Sequence, residues 1–374
     1  MTGGSPGGPV ATAEENGRPG DHDLVDQAAG ATRAYRSMVA RRRLVVAALV
    51  VLTAALFLAD VGVGNSAMGL GELLRACFAP WDAPETTRQI VWNIRMPMSV
   101  TGVLVGGSLA VAGAEMQTIL NNPLAEPYTL GISAAAGFGA ALSVIVGVSA
   151  VPLGAVFGTA GCAWIFAMIA CGVILSFSLV RGASTETMIL LGIAMVFLFT
   201  ALLSLMQYVA SEAQLQQVVF WTLGSLGRAT WPQIGLLAVT LGVLLPLFAR
   251  ASWTLTAFRL GDDRARSLGV AVERTRVLVL IGVSLLAATA VALAGTIGFV
   301  GLVGPHIARM LVGEDQRQFL PASLLSGAAL LCGASLVSKL LVPGVIIPVG
   351  IITSIVGVPL FLVLILSKRR QLWS

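Results

Sequence analysis

Residues 187–209 read TMILLGIAMVFLFTALLSLMQYV, 23 positions without a charged side chain. An α-helix rises about 1.5 Å per residue, so roughly 20 such residues span the hydrocarbon core of a bilayer. A helix also satisfies its backbone polar groups internally, as hydrocarbon demands. Working outward, the same signature recurs almost without pause from Leu44 onward. Cutting at charges, prolines and polar clusters predicts ten spans, at 44–63, 97–115, 130–149, 152–180, 187–209, 233–249, 277–296, 297–313, 319–338 and 345–367. The cuts at residues 150 and 296 rest on Gly or Pro punctuation alone. The chain is 56% hydrophobic and 11% charged, against about 25% charged in soluble domains. The expected fold class is therefore an all-α polytopic membrane protein. Residues 1–40, rich in Gly, Pro, Ala and acids without periodicity, are expected to form a disordered tail ahead of a membrane domain at 41–374.

Composition excludes several chemistries. Cys77, Cys162, Cys171 and Cys332 lack metal-ligand spacing, and the two histidines, His22 and His306, stand far apart in sequence. No metal site, nucleophilic constellation or directly bound cofactor is expected. The only lysines, Lys339 and Lys368, lack the glycines of a phosphate-cradling loop, so any ATP chemistry would belong to another chain. The net charge of +5 sits beside apolar spans and reads as orientation in a membrane rather than nucleic-acid binding. The 42 glycines suit close helix contacts, with Gly102, Gly106, Gly154 and Gly158 as candidates.

Ten spans put both termini on one side. Eighteen of the 23 Lys and Arg residues then share that side, and five, Arg75, Arg88, Arg95, Arg228 and Lys339, face the other. The positive-inside rule makes the termini cytoplasmic. Two connections are longer than a bundle needs. Residues 210–232, on the outer side, hold Ser211, Glu212, Gln214, Trp221 and Trp231, which read as a short surface helix with interfacial anchors. Residues 250–276, inside, carry six arginines against Asp262, Asp263 and Glu273.

In that second loop Ser252 is placed to cap a short helix through Leu255 and Phe258, which Leu260-Gly261 breaks. Asp262 offers a second cap, and Gly269 stands where a left-handed terminal residue belongs. Both helices are shorter than the roughly 12 residues at which isolated helices become marginally stable. Ala265 and Leu268 make a small apolar stripe flanked by Arg264 and Arg266, a surface suited to a protein partner. A solvated positive-inside loop, or arginines facing acidic lipid headgroups, fits the same spacing.

Ala112-Gly113 precedes Pro123 as Ala294-Gly295 precedes Pro305, in spans of opposite direction, a spacing compatible with inverted repeats. Glu115, Gln117, Asn121, Asn122, His306 and Arg309 would be costly against lipid and are expected to face protein or water. Glu115, near the end of its span, is expected to reach the interface rather than to relay protons. His306 is expected to be structural, on one helical face with Arg309.

Several stretches in order resemble the FecCD-like permease subunits of type II ABC importers for ferric siderophores, haem and cobalamin. They are Arg95-Met-Pro97, Leu109 through Gln117, Asn122-Pro123-Leu-Ala-Glu-Pro127, Leu130 through Ser133, Trp221 through Leu226, Leu260 through Gly269, Gly295 through Arg309, Gly313 through Arg317, Pro348-Val-Gly350 and Gly357-Val-Pro359. The resemblance covers roughly residues 44–368. It implies an inner-membrane permease that pairs with a second copy or a related subunit, two separate ATP-binding subunits and an extracytoplasmic substrate-binding protein. It also implies that Leu260, Gly261, Asp262, Arg264, Ala265, Leu268 and Gly269 couple to the ATPases. Pathway or gate candidates are Arg95, Pro97, Gln117, Asn122, Pro123, Gly298, Phe299, Gly301, Pro305, His306 and Arg309. The chain departs from the family pattern at Met98, where an Arg is usual, at Ser335 and Lys339, where Asp and Arg stand, and at Ile346, where a Glu stands. These departures remove the acids of an outer-side ion pairing and suggest a heterodimer whose partner supplies them. The alternative class is an ion- or proton-coupled secondary transporter, which needs buried carboxylate pairs or broken helices around an ion site and no ATPase.

Overall fold

The computed structural model describes residues 3, 21–64, 69–147, 154–181, 184–342 and 344–371, and every regular element among them is helical. The chain forms two compact units, Met1–Leu44 and Val45–Ser374. Residues 4–20 of the expected tail lie outside the described residues; from Asp21 the backbone is helical.

In chain order the helices are α1 (Asp21–Gly62), α2 (Leu70–Phe78), α3 (Glu85–Ile90), α4 (Met96–Ile119), α5 (Ile132–Ile145), α6 (Gly154–Arg181), α7 (Thr185–Val209) and α8 (Glu212–Thr222). They continue with α9 (Trp231–Arg250), α10 (Ser252–Phe258), α11 (Asp262–Ser267), α12 (Val272–Ala294), α13 (Val300–Val312), α14 (Gln316–Leu340) and α15 (Val349–Gln371). Seven stretches, in α1, α3–α4, α6, α7, α9, α12 and α14, are long and apolar enough to cross a bilayer, and α5, α13 and the 349–363 part of α15 are shorter apolar helices. Each of the ten overlaps one predicted span. The junction expected at residue 150 lies outside the described residues. The one at 296 is a break, where Gly295 (φ 78°) and Phe299 (φ 68°) take left-handed backbone angles between α12 and α13.

The core is built around α4 and α12: 78% of the most apolar window of each is buried, against 17% in α7. Small side chains make this possible. α4 carries Gly106, Gly107, Ala110, Ala112 and Gly113, and it packs against α12, α13 and α14. A Cβ on Gly106 would strike the Gly327 carbonyl of α14, and one on Gly113 would strike the backbone of Gly301 in α13. Helices in lipid gain no hydrophobic drive from meeting, so such close van der Waals contact is what holds them. Of the glycines singled out from sequence, Gly106 makes the expected approach, while Gly158 sits in a kink (φ 64°) with open space around it. At the periphery α7 exposes Leu190, Ile193, Phe197, Leu205 and Tyr208.

The proposed repeat of Ala112-Gly113 and Ala294-Gly295 is not matched in conformation. α4 runs unbroken through Gly113, whereas α12 ends at Ala294. Pro305 lies inside α13, whereas Pro123 falls in the connection after α4.

Candidate functional site

The 250–276 connection folds as the two short helices α10 and α11, and Gly269 turns with φ 85°. Both expected caps shift by one residue. Ala251 precedes α10, and Gly261 (φ 88°) precedes α11. Asp262 is therefore the first helical residue, and its carboxylate is turned to another use. Arg276, at the start of α12, donates from one terminal nitrogen to both Asp262 oxygens at 2.8 and 2.9 Å. Its Nε donates to the Ile119 carbonyl at 3.0 Å, and its guanidinium lies 5.7 Å from the Phe258 ring centroid. One buried arginine thus ties α11 and α10 to the end of α4, where the last carbonyls of a helix otherwise lack donors.

A second tie lies beside it. Arg259, just after α10, pairs with Glu314 at 2.5 Å, and Arg309 of α13 approaches the same carboxylate at 3.2 Å. Both guanidinium groups sit 5.4 Å from the Phe319 ring centroid. Arg309 then donates to Gln117 Oε1 of α4 at 3.0 Å. Next to this chain, Gln316 Nε2 donates to Glu115 Oε2 at 3.3 Å and to Thr118 Oγ1 at 3.1 Å. Glu115 is fully buried, which corrects the expectation that it reaches the interface: α14 covers it and supplies its donor. The exposed tip of the loop carries Arg266, held to Asp263 at 3.1 Å and to Glu273 at 2.6 Å. Glu273 beside it raises the Arg266 guanidinium above its ordinary value. Leu260 and Leu268 are each 50% exposed. Ala265 is fully buried against the chain's own core, so the apolar stripe read from sequence resolves into one inward anchor and two outward leucines.

The pathway candidates fall into three places. Gln117 and Arg309 belong to the second tie, with Pro305 and His306 one turn earlier on α13. Asn122 and Pro123 lie in the connection that follows α4; there Asn121 takes φ 45° and Asn122 Oδ1 accepts from the Leu124 amide at 2.9 Å. Gly298 and Phe299 line a cavity of about 510 Å³ together with Glu126 and the first turn of α15, and Gly301 packs next to it against α4.

Arg95 and Pro97 stand at the other end of α4, about 35 Å away along a 24-residue helix. Arg95 donates to the Val61 and Gly62 carbonyls at 3.2 and 2.8 Å, and Pro97 occupies the first turn of α4, where its missing N–H costs nothing. Here the chain answers its own departures from the family pattern. Lys339 of α14 pairs with Asp60 of α1 at 2.9 Å and donates to the Asp60 carbonyl at 2.8 Å, while Ser99 donates to the same carboxylate. The acid that meets Lys339 thus comes from α1 of the same chain.

Sequence reasoning left Asp60, Glu126, Arg259, Arg276 and Glu314 out of the site. Asp60 was legible as the lone acid in an apolar run, and Glu126 within the Asn122–Pro127 motif. Nothing local marks Arg276 apart from its five loop companions.

The profile of the FecCD transport family matches residues 51–367. The chain belongs to that family. The vitamin B12 import system permease BtuC of Klebsiella pneumoniae is 36% identical over 281 residues, covering 75% of this chain and 83% of BtuC. The hemin transport system permease HmuU of Yersinia pestis is 35% identical over 336 residues, covering 88% of this chain and 97% of HmuU. Among solved structures, an ABC transporter assigned to the metal-chelate type, in an inward-facing conformation, superposes with a TM-score of 0.77 at 29% identity, covering 87% of this chain and 99% of that one. This FecCD family member is thus a multi-pass inner-membrane permease of the type II ABC importer class.

Proposed function

We propose that this permease carries an iron-siderophore-type chelate, haem or cobalamin inward. It pairs with a second permease subunit, and two separate ATP-binding subunits dock on the 250–276 loop. An extracytoplasmic binding protein delivers the cargo to the opposite face. Both termini and the loop lie in the cytoplasm, an orientation supported by the eighteen-to-five division of Lys and Arg. The B12 and hemin relatives support the cargo class.

The observation that carries the coupling reading is Arg276, which joins Asp262 of the loop to the last carbonyl of α4, that of Ile119. Leu260, Asp263, Arg264 and Leu268 are the surface for the ATPase; Gly261 and Gly269 set the two turns; Ala265 and Asp262 root the helices. A push on the loop reaches α4 through Arg276, and through Arg259, Glu314, Arg309 and Gln117. The end of α4 leads directly into Asn122-Pro123 and the cavity at Gly298 and Phe299, the proposed cargo route, which continues past Gly301, Pro305 and His306. Arg95 and Pro97 belong to the far end, where the helices are held together.

Replacing residues 262–268 with a Gly/Ser linker tests this. Membrane insertion is expected to persist, while co-purification of the ATP-binding subunits and ATP-dependent uptake are lost. Unchanged uptake in that variant would reject the coupling role.

A further inference from the structure

Three helix ends meet at the 510 Å³ cavity: α8 stops at Thr222, and α13 and α15 begin at Val300 and Val349. Its polar lining mixes acceptors with the Tyr128 hydroxyl and the first backbone amides of α13 and α15. Thr296 Oγ1 donates to the Thr222 carbonyl and Ser354 Oγ donates to the Gly350 carbonyl, so these two hydroxyls offer lone pairs to the cavity. No Lys, Arg or His is among the lining residues. The one charge is Glu126, whose carboxylate takes no hydrogen bond or ion pair among the described residues.

The position of Glu126 is unusual for a free carboxylate. Gly192, seven residues into α7, packs against Thr129 and Leu130 of the same connection, so this segment lies about 10 Å inside the start of α7. An ionisable group at such depth is costly against lipid and faces a partner or a water-filled space. Glu126 Oε2 lies beside Gly301 in the first turn of α13, where the helix dipole favours a negative charge. Glu126, the one charged lining residue, gives the cavity a net negative charge that favours cations and hydrogen-bond donors.

We infer that this cavity is a contact surface on the cargo route and that Glu126 is its specificity-determining residue, favouring cargo that presents cationic or N–H and O–H donor groups over cargo that presents bare anions. This rests on the import reading above, yet its test is independent of the ATPase. Ser354→Cys is introduced in a Cys77→Ser background, and the intact transporter in membrane vesicles is treated at pH 8 with a trimethylammonium and, separately, a sulfonate methanethiosulfonate reagent. The cationic reagent is expected to label Cys faster by about tenfold, after correction for free-thiol reactivity. Glu126→Gln should abolish that preference and Glu126→Asp should keep it. A site that neither reagent reaches, with or without ATP, overturns the proposal, as does a preference unchanged in Glu126→Gln. Absence of any co-purifying ATP-binding subunit would instead strike the import reading and leave the labelling result standing.

Discussion

The two ends of α4 are held by ion pairs of opposite design. At the Arg95 end, Lys339 and Asp60 are both sealed, with side chains 5% and 0% exposed. At the loop end only the arginines are buried: Arg276 and Arg259 are 3% and 15% exposed, while their acids Asp262 and Glu314 are 37% and 52% exposed. A sealed pair cannot part without stranding a charge in low dielectric, which costs several kcal/mol. When the loop pair parts, the carboxylate is rehydrated and the arginine keeps the Ile119 carbonyl and the Phe258 ring, so only one charge loses a partner. The first end is a clamp and the second a joint, which is the division of labour a helix needs if it is to be tilted from one end.

The strongest challenge to this contrast is to strand one member of the clamp. Lys339→Met leaves Asp60 buried and alone, and thermal unfolding in detergent should show a loss of about 3–5 kcal/mol. The double variant Asp60→Leu with Lys339→Met should recover most of it; no recovery would mean that the pair is not the cause. Next in size, Gly113→Val forces α4 off α13 and should cost about 1–3 kcal/mol by the same assay. Gly158→Ala, in open space, should cost less than Gly113→Val, its positive φ being the only strain. At the joint, Asp262→Asn, whose amide oxygen still accepts from Arg276, should cost less stability than Lys339→Met but lower ATP-driven uptake severalfold in vesicles. Smallest of all, Glu273→Gln removes an exposed partner of Arg266 and should leave the melting temperature unchanged.

The ten helices were legible because hydrocarbon imposes its rule locally, run by run, as at residues 187–209. The turn at Gly269 was legible for the same reason, since a left-handed residue after a short helix is a local matter. The caps were not. Asp262 was expected to bond its own helix, but Arg276 lies 14 residues on and offers a buried, charged donor. Asp60 and Lys339 are 279 residues apart, and no period in the sequence connects them. The family pattern pointed to missing acids at that end, and the physical requirement it implied, a carboxylate for Lys339, was met from an unexpected helix. Glu115 misled for a related reason: its distance from the end of a span says nothing of what α14 lays over it.

The central claim is that force enters α4 through the Arg276 joint. It is tested most directly by the ratio of cargo taken up to ATP hydrolysed, measured in vesicles holding the full transporter with Arg276→Met, using whichever of cobalamin, haem or a ferric siderophore the wild type carries. Hydrolysis that continues near the wild-type rate while uptake falls at least tenfold is the predicted result. An unchanged ratio, with both rates intact or both reduced together, would contradict it.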